Sequence, residues 1–239
     1  MISIIVPIHK ITSEITEVRK RIFYSKTPCE VVFVIEKFLE GHFKAESSRE
    51  KVVISEKLGR GFSLVKGALL AKGNIILFLH SDTLLPPGWD EAIKRALFDE
   101  GVVGGGFSVQ FAGVVGGGFS VQFVSRFIKF LVFIYDLLFH LSREMWGDRA
   151  IFIRSRYLRE GLSLMYIPLM EDVRLSLWMR KKGRVVLLKE KVTTSASGFV
   201  SSGPLRHTIS IVMCRIWYAL GGDPQKIYKH YYLNDFISK

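Results

Sequence analysis

The sequence predicts an α/β protein with a Rossmann-like, mostly parallel sheet flanked by helices, and two observations carry this prediction. Short apolar runs without alternation, typical of strands buried on both faces, recur through the first half of the chain. Segments of helical length and pattern separate several of these runs, which is the arrangement of βαβ units. Strands are expected at residues 2–6, 30–35, 52–54 and 75–79, and helices at 13–23 and 61–71.

Length and composition indicate one domain spanning residues 1–239. The chain is 49% hydrophobic, enough for one sizeable core. Its net charge of +12 suits a phosphorylated substrate or an anionic membrane surface. The sequence lacks zinc-finger spacing and an aromatic RNA-binding signature, so nucleic acid is not an expected partner. The two cysteines, Cys29 and Cys214, lie far apart, and no signal peptide is evident, so a reducing, cytoplasmic location is expected.

A perfect tandem repeat occupies residues 101–124. Residues 101–111 and 113–123 both read GVVGGGFSVQF, closed by Ala112 and Val124. The FSVQF portion alternates like a strand, yet a single sheet has one position for it. We expect the second copy to take that position because it leads directly into the next predicted helix. The first copy would then form a loop or an extra edge strand, and an exposed edge favours a homodimer through 101–124.

Two further segments are long and apolar. Residues 124–141 are rich in aromatic side chains but contain four ionisable residues, and residues 209–220 are interrupted by Arg215. Neither reaches the roughly 20 uncharged residues of a membrane span. The first is either a helix of the core or of a dimer contact, or an interfacial helix that lies on a membrane or lines a lipid-acceptor groove. The C-terminal part, 204–239, is expected to be helical.

The block that follows the predicted strand at 75–79 is the strongest functional signal. The strand ends in His80, Ser81 and Asp82, and Pro86 and Pro87 prevent its continuation. Ligands of open α/β sheets bind beyond the carboxyl ends of the strands. Asp82 and His80 there could hold a divalent cation and, through it, a diphosphate. The alternative is that Asp82 merely caps a turn.

A pair of acidic residues begins another predicted helix. Glu171 and Asp172 follow Pro168, and the helix ends at Gly183 after three basic residues. Acidic residues at a helix N-terminus complement the helix dipole without any active site. The functional alternative is that one carboxylate is a general base for an attacking hydroxyl.

Three weaker signals complete the set of candidate site residues. Gly59 and Arg60 open a helix whose amides could meet phosphate. Asp148, which follows a glycine, is either a turn residue or a substrate contact. Glu36 ends a predicted strand, where an acid could accept hydrogen bonds from a ribose or cap a loop.

Taken together, these segments resemble the family-2 glycosyltransferases of the GT-A fold, and among them the small group associated with radical-SAM and selenodomain proteins. The matching segments occur in the family order: IIVP at 4–7, GRG at 59–61, FLHSDTLLPPGW at 78–89, GGF at 105–107 or 117–119, GD at 147–148 and PLMEDV at 168–173.

The resemblance implies an inverting, metal-dependent glycosyltransferase that uses a nucleotide-diphosphate sugar and Mn²⁺ or Mg²⁺. It places Asp82 on the last acid of the metal motif, with His80 in place of the first. It places the catalytic base at Asp172, with Glu171 beside it. The implied donor-binding residues are Pro7, Glu36, Gly59, Arg60, Ser81, Asp82 and Asp148.

The chain also departs from the family pattern. Ile8, His9 and Lys10 stand where an Asn-Glu pair usually follows the first strand, and Ser197, Gly198 and Phe199 replace basic residues and a tryptophan. Two alternatives therefore stay open: a peripheral enzyme at the inner face of the membrane with a polyprenyl-phosphate acceptor, and a catalytically impaired protein that only binds a nucleotide sugar. A dinucleotide-dependent oxidoreductase is disfavoured because no GxGxxG follows the first strand.

Overall fold

The apolar runs of the first half form one side of a mixed sheet, with the strand Glu50–Ser55 at its edge. The computed structural model describes residues 1–115, 118–120, 144–195 and 204–234. Within them the strands are β1 (Ile2–Ile8), β2 (Cys29–Glu36), β3 (Glu50–Ser55), β4 (Ile75–Phe78), β5 (Thr83–Leu84), β6 (Val102–Val115), β7 (Gly118–Ser120), β8 (Phe152–Arg154) and β9 (Arg184–Ser195).

The helices of the described chain cover both faces of this sheet and follow it at the C-terminal end. They are α1 (Glu14–Phe23), α2 (Arg60–Leu70), α3 (Trp89–Ala96), α4 (Ser155–Gly161), α5 (Glu171–Lys182), α6 (Pro204–Ala219) and α7 (Pro224–Lys229). Short 3-10 turns occupy Lys37–Leu39, Gly147–Arg149 and Leu162–Met165, and a π-helical turn, His230–Asn234, continues α7. In the part of the chain that the structure describes, no helix is long and apolar enough to cross a membrane.

Strand order explains why the sheet is mixed. The order is β3-β2-β1-β4-β8-β6-β9-β5, and β7 pairs with β6 beyond the main path. Strands β1, β2, β3, β4, β6 and β9 run in one direction, whereas β8 lies antiparallel between β4 and β6, and β5 lies antiparallel to β9. The carboxyl ends of β1, β2 and β4 therefore meet at one edge of the sheet, where the segment before β8 also begins.

Burial on both faces accounts for the lack of alternation in these strands. On one face Ile4 packs in a cluster with Val18 of α1 and Ile93 of α3. Its neighbour Ile5 points to the other face and packs in a cluster with Leu64 of α2. Because successive side chains of a strand point to opposite faces, a strand covered by helices on both sides must be apolar at every position.

The first-half predictions are confirmed, with small shifts of the ends. Each predicted strand and helix up to residue 79 is present. The main correction concerns the end of β1, which was expected at residue 6 but continues through Pro7 to Ile8. The ladder between β1 and β4 stops at Ile5, so at Pro7 only β2 pairs with the strand, and a missing backbone N–H is tolerated there. The predicted helix at 124–141 lies outside the described residues.

The prediction for the tandem repeat was wrong about which copy enters the sheet. The first copy forms β6, which pairs with β9 from Val102 to Ala112 and with β8 at Gly104 and Gly105. The second copy begins as the outer end of β6, where Gly113–Val115 pairs antiparallel with β7. The connection from α3 explains the choice, because only residues 97–101 separate that helix from β6, and short connections dominate in such folds. The predicted homodimer through 101–124 is a separate matter and stays a prediction.

Candidate functional site

The short antiparallel pairing of β5 with β9 holds in place the segment that follows β4, residues 80–82. Leu79 N donates a hydrogen bond of 3.0 Å to Ile5 O, so the chain stays against β1 as it leaves the strand. Thr83 then pairs with Thr194 of β9, and their hydroxyls lie 2.9 Å apart. The amide of Ser195 donates to the carbonyl of Asp82 at 3.2 Å. Asp82 is therefore held from two sides, by the end of β4 and by β9.

His80 links the block to the segment before β8. Arg60 Nη1 lies 3.3 Å from His80 Nε2 and, because a guanidinium can only donate, the imidazole nitrogen accepts. The proton of the neutral ring then sits on Nδ1, which faces Asp148 Oδ1 at 3.4 Å. Burial and the charge of Arg60 lower the pKa of His80 to about 3, which is consistent with a neutral ring. His80 thus orients Arg60 and Asp148.

Asp82 and Asp148 are the oxygen donors that suit a divalent cation. Burial and the neighbouring charge of Asp148 raise the pKa of Asp82 to about 6, so the two carboxylates repel one another. A cation between them would relieve this repulsion. Among the described residues, no group of three or more His, Cys, Asp and Glu side chains could hold a metal by itself. Two carboxylates nevertheless fit Mg²⁺ or Mn²⁺, which commonly takes its other oxygens from substrate phosphates and water. Both nitrogens of His80 already face other groups, so the fit rests on the carboxylates.

Arg60 is the centre of the site. It begins α2 immediately after Gly59 and forms ion pairs with Glu171 and, from Nη2 at 3.3 Å, with Asp172. Burial alone would lower the pKa of Arg60, but these two carboxylates raise it well above its usual value. Gly59 has φ +130°, and a Cβ there would lie 2.6 Å from the backbone of Pro168. Only glycine allows the start of α2 to approach the start of α5 this closely.

Glu171 and Asp172 are adjacent in sequence but occupy different environments. Glu171 is buried against Arg60, and among the described residues its Oε2 has no hydrogen-bond partner. Burial raises its pKa despite the nearby Arg60. Asp172 accepts hydrogen bonds from the amides of Gly147 (3.0 Å) and Val173 (2.8 Å). Burial acts to raise the pKa of Asp172, but Arg60 and then Arg215 outweigh it and lower the pKa.

A cleft of about 100 Å³ opens beside Asp172. Asp172 lines this cleft, whereas Glu171 lies behind Arg60, so Asp172 is the carboxylate that a ligand can reach. The lining residues come from the start of α2, the turn before β8, the start of α5 and the C-terminal helices: Arg60, Trp146, Gly147, Asp148, Leu169, Met170, Asp172, Ile211, Cys214, Arg215, Tyr231 and Tyr232.

Sequence reasoning missed the C-terminal contribution to this cleft. Arg215 of α6 pairs with Glu144 at 2.9 Å, stacks over the Trp146 ring at 4.4 Å and lies 4.0 Å from Asp172. The available signal was one arginine inside the apolar stretch 209–220, which is unusual unless the charge is paired. Tyr231 and Tyr232 gave no such signal, because tyrosines at the end of a chain are unremarkable in a pattern analysis.

The remaining candidate donor residues lie along the same edge of the sheet. Glu36, the last residue of β2, forms a hydrogen bond with Nδ1 of His9, one residue beyond β1. His9 stands where the family usually has an Asn-Glu pair, so the departure noted in the sequence brings an imidazole to Glu36. Pro7 is buried within β1, and Ser81 is partly exposed in the turn after β4. The structure thus brings Arg60, His80, Asp148, Glu171 and Asp172 into direct contact, with Asp82 beside Asp148.

The sheet order and the flanking helices define the class of fold: the protein has the GT-A fold. The solved structures it resembles include those of S. aureus TarS, a family-2 glycosyltransferase. The TarS 1-349 structure matches with a TM-score of 0.51 and 17% identity, over 82% of this chain and 61% of that chain. A longer TarS structure matches with a TM-score of 0.51 and 17% identity, over 81% of this chain and 36% of that one.

TarS 1-349 in complex with UDP-GlcNAc is also similar, with a TM-score of 0.48, 18% identity and coverage of 81% of this chain and 58% of that one. This chain therefore spans less than two thirds of each TarS structure. No protein-family model matches the chain, and no curated protein is significantly similar to it in sequence. At such identities the likeness concerns the fold alone, and membership of the radical-SAM-associated group stays a prediction.

Proposed function

We propose that the protein is an inverting, metal-dependent glycosyltransferase that moves a sugar from a nucleotide-diphosphate donor to an acceptor hydroxyl. The observation that carries this proposal is the meeting of Arg60, Asp148 and Asp172 at the carboxyl edge of a GT-A sheet, beside Asp82. Ligands of open α/β sheets bind at this edge. The fold likeness to TarS supports the reaction class.

The donor would lie along the edge from β2 to the cleft. Glu36 at the end of β2 accepts hydrogen bonds from the ribose, and the start of α2 with Arg60 faces the phosphates. Asp82 and Asp148 would hold Mn²⁺ or Mg²⁺. The cation would neutralise the charge that develops on the nucleotide-diphosphate leaving group. His80 keeps Asp148 and Arg60 in position through its two ring nitrogens.

Asp172 has the role of general base. The acceptor oxygen attacks the anomeric carbon from the cleft, the bond between that carbon and the diphosphate breaks, and Asp172 takes the acceptor proton. The amides of Gly147 and Val173 fix the carboxylate so that it needs little reorganisation. One displacement at carbon inverts its configuration. Glu171 holds Arg60 and does not meet the acceptor.

A second candidate is a protein that binds the donor without turning it over. The observation that favours it is the position of Asp172 between Arg60 at 3.3 Å and Arg215 at 4.0 Å, which lowers its pKa and weakens it as a base. Both candidates require donor binding. They differ in whether a nucleotide diphosphate is released from the donor.

The test is thermal stabilisation and calorimetry with nucleotide diphosphates, with and without Mn²⁺. A ligand at about 100 times its Kd adds about 2.7 kcal/mol to the free energy of unfolding. We expect at least one nucleotide diphosphate to raise the melting temperature, and to raise it more when Mn²⁺ is present. In Asp82→Asn the additional stabilisation by Mn²⁺ should be lost, and the affinity in Mn²⁺ should fall at least about tenfold. The control is Asp99→Asn, which removes a carboxylate before β6, at the opposite edge of the sheet. Equal affinity of Asp82→Asn and the wild type in Mn²⁺ would refute the metal assignment.

A further inference from the structure

The outer face of α6 carries a stripe of large exposed apolar side chains. Ile209 is 53% exposed, Met213 58% and Leu220, just beyond the helix, 82%. Val212, Ile216 and Trp217 complete the stripe. The spacing of Ile209, Val212, Met213, Ile216 and Leu220 is that of one helical face. Isolated exposed apolar residues are ordinary, but a continuous row of them marks an interaction surface.

The opposite face of the same helix belongs to the candidate site. Ile211, Cys214 and Arg215 line the cleft, and Cys214 also belongs to the apolar cluster that contains Leu169 and Ile227. Tyr218 accepts a hydrogen bond of 2.7 Å from Arg174 of α5. Within the described ranges, the inner face therefore carries the contacts that attach α6 to the cleft and to α5, and the outer stripe lines neither the cleft nor that apolar cluster.

Positive charge borders the stripe. Residues 204–234 contain four Lys and Arg residues and one acid, Asp223. Arg215 points inward to Glu144 and Asp172, whereas Arg206, Lys226 and Lys229 are exposed. Arg206 lies seven residues before Met213, on the same side of the helix. Trp217 is in edge contact with His230, with ring centroids 5.9 Å apart, so the apolar row continues to the basic end of α7.

We propose that the stripe Ile209–Leu220 is a docking surface for an anionic lipid bilayer. An apolar helix face bordered by Lys and Arg is the arrangement that lies in the plane of a membrane, with its apolar side chains among the acyl chains and its basic groups at the head groups. Docking through this face needs no spanning segment. It places α6 between the lipid on one side and the cleft on the other, so the cleft lies one helix diameter from the bilayer.

A second copy of the chain is a poorer occupant for two reasons. A two-fold contact through the stripe would bring together the basic residues that border it on each copy, Arg206, Lys226 and Lys229, and like charges oppose such a contact. The stripe is also small: its 12 residues, at a rise of roughly 1.5 Å each, give a strip about 17 Å long and one helix wide. A stable dimer buries about 800 Å² on each partner, far more than this strip presents. An anionic bilayer attracts the basic residues around the stripe, and it can accommodate a strip of this size.

Flotation with lipid vesicles tests the proposal on the intact chain. We expect binding to vesicles of phosphatidylcholine with phosphatidylglycerol, weaker binding to phosphatidylcholine alone, and release by salt from the mixed vesicles. The variant Met213→Glu with Ile216→Glu should lower the partition coefficient at least roughly tenfold, because two inserted apolar groups become charged. The control, Leu69→Glu with Phe98→Glu, replaces two even more exposed apolar residues outside the stripe and should bind like the wild type.

Circular dichroism checks that each variant is folded. If the double variant does not fold, Leu220→Glu replaces it in the test, because that side chain lies beyond the helix and is mostly exposed. The proposal is overturned if the wild type ignores anionic vesicles, if the stripe variant floats like the wild type, or if the control loses binding equally. It is also overturned if the wild type is a dimer that the stripe variant converts to monomers. The readout is lipid binding, so it stands or fails independently of the proposed glycosyl transfer.

Discussion

At the scale of single residues, a sequence pattern located the two adjacent carboxylates Glu171 and Asp172 but did not distinguish their roles. The sequence placed Glu171 and Asp172 at a helix start, where either could be a base or a simple complement to the dipole. The structure separates them: Glu171 is buried against Arg60, and Asp172 faces the cleft. This distinction depends on which carboxylate Arg60 covers, and Arg60 lies 111 residues away in the chain. No local pattern contains that information.

Asp172→Asn is expected to lower turnover without weakening donor binding. A general base acts mainly in the transition state, so its removal costs about 10²- to 10⁴-fold in rate while affinity changes little. The measurement is the release of nucleotide diphosphate from a sugar donor, with water as acceptor until the natural one is known, beside the Kd from calorimetry.

Glu171→Gln is the matched comparison for this variant. It leaves Arg60 with one carboxylate instead of two in a buried position, and removing a partner from a buried ion pair costs up to about 3–5 kcal/mol, less where another partner remains. Its melting temperature should therefore fall more than that of Asp172→Asn. A turnover defect in Glu171→Gln larger than in Asp172→Asn would exchange the two roles.

At the scale of secondary structure, the tandem repeat shows where connectivity decides and side chains do not. The two copies have identical residues over eleven positions, so propensity and apolar pattern cannot distinguish them. The first copy takes the central position as β6 because α3 ends only a few residues before it. The wrong prediction followed from weighing the downstream connection, to residues 124–141, above the upstream one.

The repeat makes a sharp comparison possible. Deleting residues 113–124 and deleting residues 101–112 give two chains that differ at one position only: Ala in the first and Val in the second, before Ser125. Both should fold, because each retains one complete strand for the sheet. Ala112 is fully buried opposite Ser195 of β9, so valine at that position overpacks the core. Overpacking of this kind typically lowers the free energy of unfolding by about 1–3 kcal/mol.

We therefore expect the chain without 113–124 to have the higher free energy of unfolding, measured by urea denaturation. The single substitution Ala112→Val in the full-length chain is the control, and it should show a loss of similar size. Equal stability of the two deletion chains would mean that the remaining strand does not occupy the position of β6 as described. A failure of both to fold would show that the second copy is part of the core.

The other strands differ in whether a local sequence pattern predicts them. The buried strands β1, β2 and β4 were predictable because helices cover both faces of the sheet and force an apolar residue at every position. The long strand β9 was missed, since RVVLLKEKVTTS mixes exposed lysines with apolar residues and follows a helix without a turn signal other than Gly183. The antiparallel insertion of β8 between β4 and β6 depends on long-range pairing. Strand order of that kind has no local signature.

On the scale of the whole molecule, the site joins two parts of the protein. The loops and the helix start at the carboxyl edge of the sheet supply Asp82, Arg60 and Asp148, while the C-terminal helices and the turn after them supply Arg215 and the two tyrosines of the cleft. A separate apolar cluster attaches these helices to the start of α5: Leu169, Met170, Val173, Cys214 and Ile227. The sequence predicted helical structure after residue 204 but not this attachment, because the contacts join segments 40 or more residues apart.

A small separate cluster implies that the C-terminal helices open independently of the sheet. Ile227 of α7 is fully buried in that cluster, and Ile227→Ala removes most of its packing, which costs about 2–5 kcal/mol for a buried isoleucine. We expect faster amide hydrogen exchange within residues 204–234 and unchanged protection in β1, β2 and β4, because such units unfold locally. Ile4→Ala, an equally buried isoleucine of β1, is the matched control and should lower protection across the sheet. If Ile227→Ala lowers the protection of β1 as much as that of α6, the protein unfolds as one unit and the C-terminal helices are part of its main core.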